Sequence, residues 1–295
     1  MLRLPPGAID THAHIFEPTL TPVADARYVP DYAATLDQYL DVLSAHDVDR
    51  GVLVQPSFLG SDNSYLLSAL VAAPDRLRGV IVVSPGNLRS ELSEGRVENL
   101  HGAGIRGVRL NLIGQPLPDL VNPAWQSAAA AMAKHGWHLE IQASGQQWLH
   151  LAPALRAWPG KLVIDHLGLP QPEHPDATNM VLELALLEHV WVKVSGPYRS
   201  PRQQAEMMFA ELVQRESCAE RLVFGSDWPF TRHEEHTFTE VLAWAQDLVG
   251  EDLLQRMMTT NPASLFGWPA LSDDQTSKPM LHLLAASVDV SPSTR

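Results

Sequence analysis

The sequence predicts a single-domain α/β protein of the (β/α)₈ TIM-barrel class, and three observations predict it. Eight short apolar, β-branched runs recur along the chain, and segments of helical periodicity lie between them. At 295 residues the chain also has a normal length for one such barrel, which takes about 250 residues before insertions.

In order, the runs are AIDTHAHI (8–15), RGVLVQPS (50–57), LRGVIVVSP (77–85), IRGVRLNL (105–112), HLEIQAS (138–144), KLVIDHLG (161–168), VWVKVSGPY (190–198) and RLVFGSDWP (221–229). Parallel strands buried on both faces read as near-continuous Val/Ile/Leu stretches. Between them, LDQYLDVLSAHDV, NSYLLSALVAAP, PAWQSAAAAMAKHG and FTEVLAWAQDLV carry apolar residues at i, i+3, i+4 and i+7, as a helix with one buried stripe does. Gly136 ends the third of these where a helix stop belongs, and Ser61, Asp62 and Asn63 read as caps of the second. An open doubly wound sheet competes with the barrel. No Gly-x-Gly-x-x-Gly turn follows the first run, however, and that many strands would need a second lobe.

The barrel is expected to span residues 1–271. Residues 272–295 change character, with a polar stretch, the apolar patch MLHLLAASV and a Ser/Pro end. They read as a C-terminal appendage, either partly disordered or covering a neighbouring surface, which in a homo-oligomer would be that of another subunit.

Charge and composition exclude several function classes. A net charge of −13 argues against sequence-independent binding of nucleic acid, which needs a basic face to neutralise phosphates. No stretch approaches the roughly 18 apolar residues of a membrane span, and MLRLPPGAID lacks the apolar region of a secretory signal. Cys218 is the only cysteine, so no intrachain disulfide forms, which fits a cytoplasmic setting. The expected partner is a small molecule.

The chemistry is expected at the C-terminal mouth, where barrel active sites lie. Strand alternation puts Asp10, His12 and His14 on one face. A lone buried histidine is ordinarily structural, but two imidazoles at i, i+2 on a strand end can chelate an ion or polarise one carbonyl. Asp10, one layer deeper, would orient them. His166 closes the sixth run and Asp227 the eighth, both polar residues ending apolar strands. Singly each could be a cap or a turn residue, Asp227 above all because it precedes Trp-Pro. Together with the His-x-His pair they form a constellation that packing does not require. Arg109 and Asn111 share a face of the fourth run. A guanidinium in an apolar strand needs an acidic partner or a bound anion, and Glu140 is a candidate partner; Lys193 is another buried-looking charge in need of one.

This ordered set resembles the amidohydrolase superfamily. More closely, THAHIF, QPSFLGSDN, IRGVRLN, VIDHLG, VKVSGPYR, GSDWP and TTNPASLFGW, spread over residues 8–268, are similar to amidohydrolase-related family 2, in the branch of the 2-pyrone-4,6-dicarboxylate lactonases. The resemblance implies a carboxylic ester hydrolase that opens a lactone ring with water. Asp227 would be the general base, and His12, His14 and His166 would orient the water or polarise the carbonyl. It further implies that Arg109 and Arg199 bind a substrate carboxylate and that Ser57 and Tyr28 contact substrate, with Asn111 beside Arg109. No Gly-x-Ser-x-Gly elbow is present, so no acyl-enzyme route is read here.

Two positions depart from the family pattern. Gln115 stands where a further arginine is expected, and Phe230 where relatives often have histidine. A lactone with one carboxylate, a sulfonate or hydroxyls therefore fits as well as a pyrone dicarboxylate.

Three imidazoles and a carboxylate could also make a site for one Zn²⁺ or other divalent ion, with His12, His14, His166 and Asp227 as ligands. Binuclear relatives bridge their ions with a fourth-strand lysine, which IRGVRLNL lacks. The lactonase branch is understood to work without metal, so the resemblance favours no cofactor. The alternatives on this scaffold are a mononuclear zinc-dependent decarboxylase and a non-catalytic binding protein.

Overall fold

The computed structural model describes residues 4–269, and all eight expected runs form strands: β1 (Ile9–Ala13), β2 (Arg50–Val54), β3 (Leu77–Ile81), β4 (Ile105–Asn111), β5 (His138–Gln142), β6 (Lys161–Ile164), β7 (Val190–Val194) and β8 (Leu222–Phe224). They pair in parallel in sequence order, as a TIM barrel requires. The β1–β8 seam is held by fewer contacts. Ala13 bridges Trp228, and the Asp227 and His14 N–H groups donate to His12 O and Trp228 O, each at 2.8 Å.

The covering helices are α1 (Leu36–Ala45), α2 (Ser64–Ala72), α3 (Leu88–Glu91), α4 (Glu94–Gly102), α5 (Pro123–Lys134), α6 (Gln147–Arg156), α7 (Pro175–Ala185), α8 (Arg202–Val213), α9 (Glu216–Ala219), α10 (Phe238–Met258) and α11 (Thr260–Phe266). Thr35 opens α1 and Thr237 opens α10, each by a capping box that satisfies two otherwise orphaned N–H groups. Gly136, at φ 68°, follows the end of α5 as expected. The caps expected of residues 61–63 are only partly present. Asp62 accepts from Ser64 N–H, whereas the Asn63 amide docks on Val82, accepting from its N–H and donating to its carbonyl. Helix α10 runs past the expected end and bends at Gly250, whose φ of 74° breaks the helical path.

One register feature overturns an expectation. Asp10 pairs with Gly51 but Ala13 pairs with Leu53, so β1 carries one extra residue against β2. This bulge breaks the alternation of faces. Ile9 packs inside the barrel with Val52, Val54 and Val80. Asp10 turns outward to the Tyr39 hydroxyl of α1, at 2.9 Å, and also accepts from Ser226 N–H and Oγ–H at 2.7 and 2.6 Å. Asp10 thus does not share a face with His12; it fastens β1 to the segment after β8.

The barrel floor is sealed by the end of the described chain. Leu265, Phe266 and Trp268 pack against Ile9, Val163, Trp191 and Val223, and the Arg50 and Arg78 guanidiniums lie over the Trp268 ring at 5.6 and 4.9 Å. The appendage expected at 272–295 lies outside the described residues. Among the described residues, no helix is long and apolar enough to cross a membrane.

Candidate active site

The two late polar residues sit just beyond their strands, in unusual backbone. His166 has φ 49° and Asp227 φ 65°. Left-handed backbone at a non-glycine residue costs about 1–3 kcal/mol and persists only where its surroundings impose it. Here it brings both side chains to His12: the His12 and His166 ring centroids are 4.7 Å apart, and Asp227 Oδ1 lies 3.9 Å from His12 Nε2. Gly196, at φ 53°, makes room for this meeting. A Cβ there would stand 3.0 Å from Asp227 Oδ2, His166 Nδ1 and Arg199 Cδ.

The imidazoles have defined protonation patterns. His14 Nδ1 lies 2.7 Å from Val54 O, which only accepts, so the His14 proton is on Nδ1 and its Nε2 is bare. His12 Nε2, 3.2 Å away, must then be the donor. The remaining nitrogen, His12 Nδ1, accepts from Lys193 Nζ at 3.1 Å. Burial, followed by the Lys193 charge, holds His12 well below the usual histidine range; burial likewise lowers His14 to about 3 and His166 to about 4. All three are neutral at pH 7. His166 Nδ1 contacts Ser195 Oγ at 2.9 Å.

Below the histidines lies a buried charge network. Lys193, fully enclosed on β7, bonds Glu140 and lies 3.4 Å from Asp165 Oδ1. The partner expected for Arg109 was Glu140, and its Nε is 3.4 Å from that carboxylate. A nearer carboxylate is Asp165, at 2.9 Å, and Gln142 Oε1 accepts from Arg109 Nη2 at 2.6 Å. Asp165 was not singled out from the sequence, because next to His166 it reads as one more strand residue.

Asp227 is fully buried and both of its oxygens are engaged. Arg199 Nη2 donates to Oδ1 at 3.0 Å, Arg199 Nε bonds Oδ2, and the Tyr198 hydroxyl donates to Oδ2 at 2.8 Å. The Tyr198 ring is backed by His236, stacked at 4.3 Å. Burial raises the Asp227 carboxyl, but the Arg199 charge outweighs it and holds it well below the usual carboxylate range.

Above this floor opens a cavity of about 290 Å³. Of the residues named from sequence, His14, His166, Arg109, Arg199, Ser57 and Asn111 line it, and so does Tyr28. His12 and Asp227 lie beneath, fully buried. Gln115 is not among the lining residues. Arg27 is, and its Cδ lies 3.6 Å from where a Gly114 Cβ would stand, so a cation from the β1 loop reaches the β4 loop. Arg27, Arg232, His233 and Gln142 also line the cavity and were not foreseen, since loop arginines carry no pattern in sequence.

Ligand atoms of His12, His166 and Asp227 lie within 4.8 Å of one another, close enough for one ion. As arranged, the set does not fit a dication. Its carboxylate is already shared between a guanidinium and a phenol, and the Arg199 charge would lie against the metal.

A 2-pyrone-4,6-dicarboxylate hydrolase of Comamonas testosteroni is 29% identical, over 90% of this chain and 92% of its own. A 4-sulfomuconolactone hydrolase of Rhizobium radiobacter is also 29% identical, over 90% and 91%. The crystal structure of a probable 2-pyrone-4,6-dicarboxylic acid hydrolase from Acinetobacter baumannii, with citric acid bound, is 36% identical and superposes with a TM-score of 0.81, covering 88% of this chain and 99% of that one. Residues 9–268 match the Amidohydrolase family, and the chain belongs to it.

Proposed function

We propose that this protein opens a small anionic lactone by attack of water, with Asp227 as general base. The observation that carries the reading is a single cavity in which neutral imidazoles and arginines meet above a buried carboxylate. The hydrolase relatives support it, one named for a dicarboxylate and one for a sulfo-substituted lactone.

In the arrangement described, Asp227 is a poor base because Arg199 and Tyr198 hold it. A substrate carboxylate competes for the Arg199 fork. As the guanidinium turns to it, the Asp227 carboxyl rises towards its ordinary range and can take a proton from water. The water oxygen bonds the acyl carbon, the ring C–O bond breaks, and the proton on Asp227 passes to the leaving oxygen. The Ser195 hydroxyl can donate to His166 Nδ1, and in that tautomer the His166 Nε2–H is available to the carbonyl oxygen. No step is assigned to a metal.

A panel of anionic and neutral lactones, read by pH indicator with and without chelator, tests the reading. Turnover of an anionic lactone that survives the chelator is expected. Turnover confined to neutral sugar lactones, or none of any lactone, would overturn it. The alternative on this scaffold is a zinc-dependent decarboxylase, which would require Arg199 to leave Asp227 before His12, His166 and Asp227 could hold an ion. Chelator-sensitive CO₂ release from an aromatic acid would support that one.

A further inference from the structure

Four arginines line the cavity: Arg27, Arg109, Arg199 and Arg232. Arg109 is paired with Asp165 and Arg199 with Asp227. Among the described residues, Arg27 and Arg232 have no carboxylate within the 4.0 Å of an ion pair. The carboxylate that joins their loops is engaged elsewhere: Glu234 Oε1 accepts from the Tyr28 and Tyr32 hydroxyls, at 3.2 and 3.0 Å, and from Arg232 N–H at 2.8 Å. These bonds fasten the two loops together and set both guanidiniums on one rim.

Neither side chain hangs free. Arg27 Nη2 donates to Asn111 Oδ1 at 3.3 Å, and its stem lies on Gly114. Arg232 holds a φ of 70°, with its guanidinium 6.0 Å over the Tyr28 ring. Partial burial and then the charges of Arg232 and Arg109 pull the Arg27 guanidinium below its ordinary value. The framework therefore holds like charges together at the mouth of an acidic protein, an arrangement that an anion stabilises.

We propose that Arg27 and Arg232 form a second anion subsite on the rim, separate from Arg109 and Arg199 on the floor. It takes a carboxylate or sulfonate substituent remote from the reacting carbonyl. Its role in turnover rests on the lactonase reading, but its existence as a binding site does not.

Calorimetry with two non-hydrolysable ring acids, benzoate and isophthalate, tests the subsite without any reaction. Benzoate reaches one subsite, and isophthalate presents a second carboxylate. Wild-type protein is expected to bind isophthalate at least about tenfold tighter. Arg27→Gln or Arg232→Gln should lower isophthalate affinity about ten- to a hundredfold, the range for a charged hydrogen bond, while changing benzoate affinity less than about threefold. Arg156→Gln, an exposed change on α6, controls for net charge and should alter neither. Melting curves check that the variants fold. Equal losses for both acids, or no loss for isophthalate, would overturn the subsite. If the isophthalate difference holds but no lactone is turned over, the subsite stands and the lactonase reading falls. If 2-pyrone-4,6-dicarboxylate is hydrolysed no more slowly by the variants while benzoate and isophthalate bind alike, the lactonase reading stands and the subsite falls.

Discussion

Arg199 grips Asp227 through both carboxylate oxygens, with Nη2 3.0 Å from Oδ1 and Nε on Oδ2. A bidentate guanidinium–carboxylate pair is among the stronger contacts a protein makes, and the Asp227 end of this one is fully buried. The proposed base and a proposed anion binder are thus a single unit in the ligand-free molecule. Changing either residue changes the charge state of the other.

For this reason Asp227→Asn should fold yet lose about 10²-fold or more in kcat, because an amide cannot take the water proton. Steady-state kinetics beside a melting curve measures this. A variant that keeps more than half of wild-type turnover would remove Asp227 from the mechanism.

Arg199→Ala should lower kcat/KM for an anionic lactone by roughly ten- to a hundredfold and barely affect a neutral one. The pH profile should change as well. The Arg199 charge lowers both Asp227 and His166 in the ligand-free enzyme, so its removal lets both rise and moves the acid limb of kcat/KM to higher pH. An unmoved limb, with equal losses on both substrates, would mean that Arg199 only shapes the 197–199 turn.

Stability should fall as the solution is acidified from neutrality. His14 and His166 are lowered by burial to about 3 and about 4, from 6.5, so below pH 6.5 the unfolded chain takes up protons that the folded chain refuses. Their contribution is whole above pH 6.5 and is lost progressively towards pH 4. Each such histidine costs about 1.4 kcal/mol per pH unit within that window. His12 acts with the same sign. Asp10, raised to about 6 by burial, acts with the opposite sign and offsets one of them. Urea melts between pH 7 and 4 should therefore show a net loss, and a flat profile would contradict buried neutral histidines.

Lys193→Met should destabilise by about 3–5 kcal/mol, because it strips Glu140 of its bonded cation and leaves two buried carboxylates, Glu140 and Asp165, to share Arg109 alone. Adding Glu140→Gln should recover part of that loss. Additive effects in the double variant would show that Lys193 and Glu140 are not coupled.

Asp10→Ala should cost about 3 kcal/mol or more, since it strands the Tyr39 hydroxyl and the Ser226 N–H and hydroxyl, all of which donate to it. Thermal melting reads this out. A change under about 1 kcal/mol would mean that the seam relies on its backbone bonds alone.

Periodicity alone determined the barrel. Eight buried strands separated by amphipathic helices can hide their apolar surface in few other ways, and polar residues ending such strands, His12, His14, His166 and Asp227, fall at one mouth by topology. What periodicity could not carry was decided by tertiary structure. The bulge that sends Asp10 outward depends on the pairing of β1 with β2, not on the alternation within β1. The choice of Asp165 as a partner of Arg109, and of Arg199 as the partner of Asp227, is made between strands and loops far apart in sequence, where distance and burial decide which charges meet. Arg27 and Arg232 carry no signal as residues; only the closure of the barrel brings their loops together, because a loop's neighbours are set by the strands that it joins.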